Sequence, residues 1–234
     1  MKLSVVIPVF NEKDTIKEVI EKVKKSPLKK EIIVIDDSSN DGTKKLLREI
    51  KKKAENNHDI KILYLDKNLG KGQAVKKGFS LVKGDYVIIQ DADLEYNPEE
   101  YPKLLKPILN KEADVVFGSR LLNKNKRFKS NWLFYIGRIS ITWVTNILFG
   151  SYLTDSYTCY KLIPNDLIRD LDITANGFEL EAELTAKILL AGKKIKEVPI
   201  DYSPRSKKAG KKITWMDWFR GVRMLLILRF KNKG

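Results

Sequence analysis

The chain has little of what most often announces chemistry. Of its 234 residues, one is cysteine (Cys159) and one is histidine (His58). A single cysteine excludes an intramolecular disulfide and any multi-cysteine metal site, and it suits a reducing compartment. His58, in the polar stretch "ENNHD", has no second histidine to share a metal and reads as a solvated loop residue. Cys159 has no obvious base nearby in sequence and reads as a packed small side chain. Acidic residues are also in deficit: 30 against 45 Lys and Arg, a formal net charge of +15. The expected partner is therefore anionic: phosphate, nucleic acid or an acidic membrane surface. No long apolar run is free of charge. The nearest, "WLFYIGRISITWVTNILF" (132–149), carries Arg138 and Asn146. A central Arg costs roughly 2.5–3.5 kcal/mol on insertion scales, so this segment reads as a helix lying on a surface. The opening "MKLSVVIPVF" enters a strand pattern with no small-residue cleavage site, and no signal peptide is expected.

Short apolar runs recur. "LSVVIPV" (3–9), "EIIVID" (31–36), "IKILYL" (60–65), "DYVIIQD" (85–91), "ADVVFGS" (113–119) and "KIKEVPI" (194–200) read as strands. Between them Ile16, Val19, Ile20 and Val23 keep helical spacing, as do Leu46, Leu47 and Ile50 after the cap residue Asp41. Further helices are expected over 132–149 and around 177–191. Alternating strands and helices with near-continuous apolar strands predict an α/β fold: a mostly parallel sheet covered on both faces. A catalytic domain over 1–212 would be followed by an amphipathic tail over 213–234. From Lys193 onward there are 13 basic and three acidic residues, which concentrates +10 of the charge in the C-terminal part.

In such sheets ligands bind at the carboxyl ends of the strands, near a topological switch point. Here those ends are polar: "PVFNE", "DDSSNDG", "DKNLGKG", "DADLE" and "GSR". In "VIIQDADLEYNP" a buried strand runs into Asp91, Asp93 and Glu95. Residues two apart in an extended segment share a side. Three such carboxylates suit a hard cation, Mg²⁺ or Mn²⁺, that shares its shell with substrate phosphates. The competing reading is a solvated acidic turn capping a helix near Pro98. The five polar tips on one sheet edge favour the metal. Asp36 and Asp37 are either turn formers or acceptors for a ribose or base. "NLGKGQA" (68–74) is a glycine-containing loop able to cradle an anion, without P-loop spacing.

In order, "SVVIPVFNE", "IIVIDDSSNDGT", "NLGKGQAVKKGF", "DYVIIQDADLEYNPEEYPKLL" and "DVVFGSR" resemble the family-2 glycosyltransferases with the GT-A fold. The resemblance is strongest to dolichol-phosphate mannose synthases and polyprenyl-phosphate glycosyltransferases. It runs from residue 3 to about 230, and "LTDSYTCYKLI", "GFELEAELTAK", "KIKEVPIDYSPR" and "KKITWMDWFRG" extend it. The pattern departs from many members at Glu95, where Gln is common, and near Tyr160. The resemblance implies a nucleotide-sugar donor held by Pro8, Phe10, Glu12, Asp37, Asp66, Lys71, Asp91 and Ala92. It also implies a metal on Asp91, Asp93 and Glu95, and GDP-mannose ahead of UDP-glucose.

The implied acceptor is a polyprenyl or dolichyl phosphate. A phosphate monoester with a second pKa near 6 is mostly dianionic at neutral pH and needs cations more than a strong base. Arg120, Arg138, Arg205 and Lys211 are the expected docking residues, with Asp93, Asp155 and Arg120 at the chemistry. Asp155 would orient the acceptor or act as base, unless it only caps a turn. One of Glu179, Glu181 and Glu183 could be a site carboxylate, although a helix face explains all three. A single displacement would invert the anomeric centre. In "TWMDWFRGVRMLLILRF" (214–230), Trp215, Trp218, Phe219, Val222, Leu225 and Leu226 form an apolar stripe, with Asp217, Arg220 and Arg223 opposite. This suits a helix at an anionic membrane surface, hence a peripheral enzyme on the cytoplasmic face. A separate membrane subunit is left open. The runner-up is a family-2 enzyme with a soluble sugar or polysaccharide acceptor. A sugar-nucleotide-forming nucleotidyltransferase would need a "G-x-G-T-R" loop, which "PVFNE" replaces. A nucleic-acid-binding protein would not place three carboxylates together, since they repel phosphate; no nucleic acid is expected.

Overall fold

In the computed structural model, which describes residues 1–54, 59–123, 132–205 and 214–231, the apolar runs pair as strands. These are β1 (Leu3–Val9), β2 (Lys30–Asp36), β3 (Ile60–Tyr64), β4 (Tyr86–Ile89), β5 (Val115–Ser119), β6 (Lys161–Pro164) and β7 (Ile195–Pro199). Among the described residues they form one sheet in the order β3-β2-β1-β4-β6-β5-β7. β1 lies parallel to β2 and to β4, with β2 and β3 on one side of it and β4 on the other, so the order in which strands are added reverses between β1 and β4. That is the switch point at which a crevice opens.

The expected α/β architecture is the one observed, with one element that periodicity did not disclose. β6 is antiparallel to both β4 and β5. Its four residues, "KLIP", are too short to show a period of two, and its first residue is the buried Lys161. The fourth strand is also shorter than the run 85–91: the Gln90 N–H makes its last bond to β1, at the Val6 carbonyl, and Asp91 begins a turn.

Alternation along the strands sorts side chains to two cores. Val5, Ile7, Val9, Ile32 and Val34 face α1 (Ile16–Lys25), α2 (Thr43–Lys53) and α4 (Tyr101–Leu109). Val6, Ile33 and Ile35 face α3 (Lys71–Phe79), α6 (Asn165–Asp170) and α7 (Leu180–Leu190). Ile16, Val19, Ile20 and Val23 are all buried, as their spacing predicts, and Asp41 accepts the Thr43 N–H at the start of α2. Gly78 lets α3 lie directly on β1, where a Cβ would fall 2.3 Å from a Val6 methyl.

The last helix departs from the expected division at residue 213. α8 (Trp215–Lys231) packs against α5 (Trp132–Phe149) and α7 around buried Ile141, Tyr157, Ala182, Ala186 and Leu225. The apolar stripe is thereby divided. Trp218, Val222 and Leu225 face inward, while Trp215, Phe219 and Leu226 remain exposed together with Phe230. Asp217, expected on the polar face, is buried and accepts the backbone N–H and hydroxyl of Thr214. No helix of the described residues is long and apolar enough to cross a membrane.

Leu225 is fully buried beneath α8. Leu225→Ala is expected to destabilise the protein by roughly 2–5 kcal/mol, read as a lower midpoint of denaturant unfolding. An unchanged midpoint would mean that α8 is a separate tail.

Candidate functional site

At the switch point lies a cavity of about 1210 Å³. It is bounded by the ends of β1 and β4, the start of α3, the segments after β5 and β7, and α5 and α8. Of the residues named from sequence, Pro8, Phe10, Glu12, Asp37, Lys71, Asp91, Ala92, Asp93, Glu95, Arg120, Arg138 and Arg205 all line it. Asp66 does not: it is exposed on the loop after β3. Lys211 and His58 lie outside the described residues.

The carboxylates do not stand in an extended row. Residues 91–95 turn, with Leu94 at φ 63°, so Asp91 and Asp93 point into the cavity under different constraints. Asp91 Oδ1 sits 2.8 Å from Lys71 Nζ, and its Oδ2 accepts the Cys159 thiol at 2.6 Å. Burial would raise the Asp91 carboxyl, but the Lys71 ammonium, the Cys159 hydrogen bond and the charge of Arg120 together hold the group below its ordinary value. Asp93 has the reverse balance. Burial, with the charges of Asp91 and Glu95, pushes it up to about 7 against the weaker pull of Arg205.

Glu95 does not fit the expected metal set. Its oxygens accept the Tyr202 hydroxyl at 2.6 Å and the Arg205 N–H at 2.7 Å, so it clamps the segment after β7 onto the 91–96 turn. Among the described residues no group of three His, Cys, Asp or Glu is placed to hold a metal unaided. Asp91 and Asp93 fit one together: they are two hard oxygen donors, and the excess negative charge at Asp93 is what a divalent cation would relieve.

Arg205 also departs from expectation. Its guanidinium is bidentate to Glu12, at 2.8 and 3.0 Å, and lies 3.3 Å from Asp93, on the carboxylate wall of the cavity. Asp37 accepts the N–H groups of Leu69 and Gly70, both at 2.8 Å, and so fixes the loop that opens α3. Gly70 is required there: φ is +92°, and a Cβ would lie 2.4 Å from the Asn176 carbonyl.

Arg120 and Arg138 lie over the ring of Tyr202, at 5.2 and 5.8 Å. Burial and the charge of Arg120 hold Arg138 below the usual guanidinium value, as expected for two close cations. Asp155 is not the free base that the sequence allowed. It is fully buried and does not line the cavity; its oxygens accept Arg120 Nε at 2.7 Å and Nη2 at 2.8 Å. Burial would raise its carboxyl, and the Arg120 guanidinium reverses this to a net lowering. Asp155 is a positioning partner for Arg120.

Sequence reasoning passed over Tyr96, Tyr202 and Lys161, and left Glu181 undecided. Tyr202 is joined to the 91–96 turn by an isolated bridge to Tyr96 and stacks edge-on with it at 5.3 Å. Glu181 lines the cavity between two lysines. The repeated acidic pattern of α7 gave no sign of which glutamate this would be. At the outer end the lining turns apolar: Ile136, Ile141, Trp215 and Trp218.

Comparison with known proteins gives the family and the fold. The sequence pattern described as Glycosyl transferase family 2 matches residues 4–160. A dolichol-phosphate mannosyltransferase of Pyrococcus furiosus is 30% identical over 225 residues, 90% of this chain and 59% of that protein. The chain therefore spans less than two thirds of that relative's length. An undecaprenyl-phosphate mannosyltransferase of Micrococcus luteus is 29% identical over 215 residues, 88% of this chain and 85% of the other. In overall shape the chain is similar to glucosyl-3-phosphoglycerate synthase of Mycobacterium tuberculosis, solved with Mn²⁺, uridine diphosphate and phosphoglyceric acid. The TM-score is 0.70 at 21% identity, covering 97% of this chain and 78% of that one.

The Arg120–Asp155 pair makes a prediction about stability. Asp155→Asn would leave a buried guanidinium uncompensated, at about 3–5 kcal/mol. The folded carboxyl lies below its ordinary value. Its contribution is therefore present above the unfolded pKa, about 3.9, and is lost as pH falls through the folded value. Urea unfolding of wild type and variant should differ most at neutral pH, begin to converge only below about pH 4, and meet once the pH has passed below the folded value.

Proposed function

Because the chain belongs to glycosyl transferase family 2 and has the GT-A fold, we propose that it transfers a hexose from a nucleotide sugar to a polyprenyl phosphate. The observation that carries this reading is the polarity of one cavity. Its lining brings together the carboxylates Asp91 and Asp93, the cations Arg120 and Arg138, and the apolar side chains Ile136, Ile141, Trp215 and Trp218. A sugar nucleotide alone would need the carboxylates only; a phosphate carried on a hydrocarbon chain accounts for the cations and the apolar lining.

In this reading the donor lies against Pro8, Phe10 and the Asp37-anchored loop, with its diphosphate at Asp91 and Asp93. A divalent cation held by Asp91 and Asp93 supplies neutralisation of the charge that builds on the departing diphosphate. Arg120, oriented by Asp155, and Arg138 receive the acceptor phosphate and align it with the anomeric carbon. The dianionic phosphate attacks without a general base, and one displacement inverts the anomeric centre. GDP-mannose is the favoured donor, supported by the names of the two mannosyltransferase relatives, with UDP-glucose second.

The membrane part of the reading rests on side chains that folding leaves outside. On α5, Trp143 and Ile147 are 68% and 75% exposed; on α8, Trp215 and Phe230 are 74% and 61% exposed. Beside the net charge of +15, this is a surface for an anionic leaflet, where each basic residue adds about 1 kcal/mol. The enzyme would dock peripherally on the cytoplasmic face.

Purified protein should move label from GDP-mannose to the lipid phase in the presence of Mn²⁺ and polyprenyl phosphate, within a panel of labelled sugar nucleotides. Asp93→Ala or excess EDTA should lower turnover by about a hundredfold or more. Undiminished transfer in EDTA would exclude the metal.

Anionic liposomes should carry the protein upward in a flotation gradient at low salt and release it at high salt. Replacing the outward Trp215 and Phe219 together by Glu should abolish flotation while leaving thermal unfolding unchanged. A folded wild-type protein that ignores such liposomes would remove the membrane from the proposal.

A further inference from the structure

Along the cavity wall, and inward from it to Lys161, runs a buried chain of alternating charge, contributed by four elements. Lys161 at the start of β6 donates to Glu181 Oε2 at 2.6 Å and to the Thr158 carbonyl, and its side chain has no exposure. Glu181 at the start of α7 accepts Lys71 through Oε1 at 3.1 Å. Lys71 reaches Asp91 Oδ1 at 2.8 Å and Cys159 Sγ at 3.1 Å. The thiol closes the group by donating to Asp91 Oδ2. Two carboxylates are matched by two ammonium groups, so the cluster is neutral with no metal in place.

This neutrality conflicts with the role given to Asp91. Asp91 Oδ1 is taken by the Lys71 ammonium at 2.8 Å and Oδ2 by the Cys159 thiol, so a divalent cation bound to either oxygen comes close to that ammonium. Like charges that close inside a buried site repel strongly. Lys71 therefore has to give up Asp91 when the cation arrives, and a buried ammonium cannot be left without an acceptor.

The geometry points to Glu181 as the second seat for Lys71: a divalent cation takes Asp91, and Lys71 is handed to Glu181 and held there. Resting on the metal reading above, this makes Lys71 a stand-in cation and Glu181, with Lys161 behind it, the positioning group that makes metal entry possible.

Three observations support the hand-off. Nζ already contacts both carboxylates, so the transfer is a sub-ångström change of balance on a flexible four-carbon stem. The Lys71 backbone cannot follow, because Gly70 N–H is bound to Asp37 and Gly72 N–H to the Asn176 carbonyl, both at 2.8 Å. Finally, Lys161 holds only the far oxygen of Glu181 and leaves Oε1 to Lys71. A carboxylate serving only the packing of α7 needs no second buried lysine.

The test is binding of Mn²⁺ alone, followed by the loss of the free-ion electron paramagnetic resonance signal, with no turnover involved. Lys71→Met removes the competing charge and should tighten Mn²⁺ binding about tenfold. Glu181→Gln removes the second seat, ties Lys71 to Asp91, and should weaken it by about the same factor. The opposed directions are the signature, since residues that merely supported the fold would weaken binding in both variants. Lys71→Met leaves Glu181 paired with Lys161, and circular dichroism on both variants identifies any loss of fold. If Glu181→Gln does not fold, looser or unchanged binding in Lys71→Met still overturns the hand-off. Wild-type binding with both variants unchanged, or both weaker, overturns the hand-off and leaves the metal reading standing. Wild type that takes up no Mn²⁺, with or without a nucleoside diphosphate, overturns both.

Discussion

Charge is buried at the inner end of the cavity, and each charge is tolerated because an opposite one has been placed against it. Arg120 has Asp155, Arg205 has Glu12, Lys71 has Asp91, and Lys161 has Glu181. Removing water from any one of them alone would cost several kcal/mol. The pairs also tie distant parts of the chain together: Arg205 joins the segment after β7 to that after β1, and Arg120 joins the end of β5 to the loop before β6. The cavity keeps its shape through these pairs, and one carboxyl, Asp93, stands out by carrying more negative surroundings than its single guanidinium contact offsets.

This distribution explains what could and could not be read from the sequence. The parallel sheet, α1 and the crevice at the strand ends were legible, because apolar runs and turn residues report burial and direction locally. Asp91, Asp93 and Arg120 were legible because they follow buried strands immediately. Glu95 was assigned to the metal on an extended geometry that the turn at Leu94 removes, and its oxygens went to Tyr202 and Arg205 instead. Asp155 could not be told from a free base, since its partner lies 35 positions away. Lys161 gave no signal: a lysine beside a cysteine and two tyrosines reads as surface until the antiparallel strand carries it inside.

The two helices at the mouth show the same limit from the other side. A stripe of six apolar residues on α8 reads as one face, yet folding uses half of it against α5 and α7 and leaves the rest outside. Amphipathicity in sequence reports that a helix has an apolar side; it does not report how many neighbours that side must serve. On α8 it serves the core and an outer surface at once, which ties the apolar mouth of the cavity rigidly to the protein body.

The antiparallel strand β6 has a consequence for how such a protein can change. Phe117 of β5 stands opposite Lys161 of β6, and Gly118 N–H binds the Tyr160 carbonyl at 2.7 Å. The described residues from Arg120 to Tyr160, α5 and the Arg120–Asp155 pair among them, lie between two sheet positions that are adjacent. An excursion whose two ends are already held together can lengthen, shorten or be exchanged at little cost in closure entropy, without disturbing strand order. The segment that carries Arg138 and the α5 side of the apolar lining can therefore vary in length or sequence while the strand order on either side of it is kept.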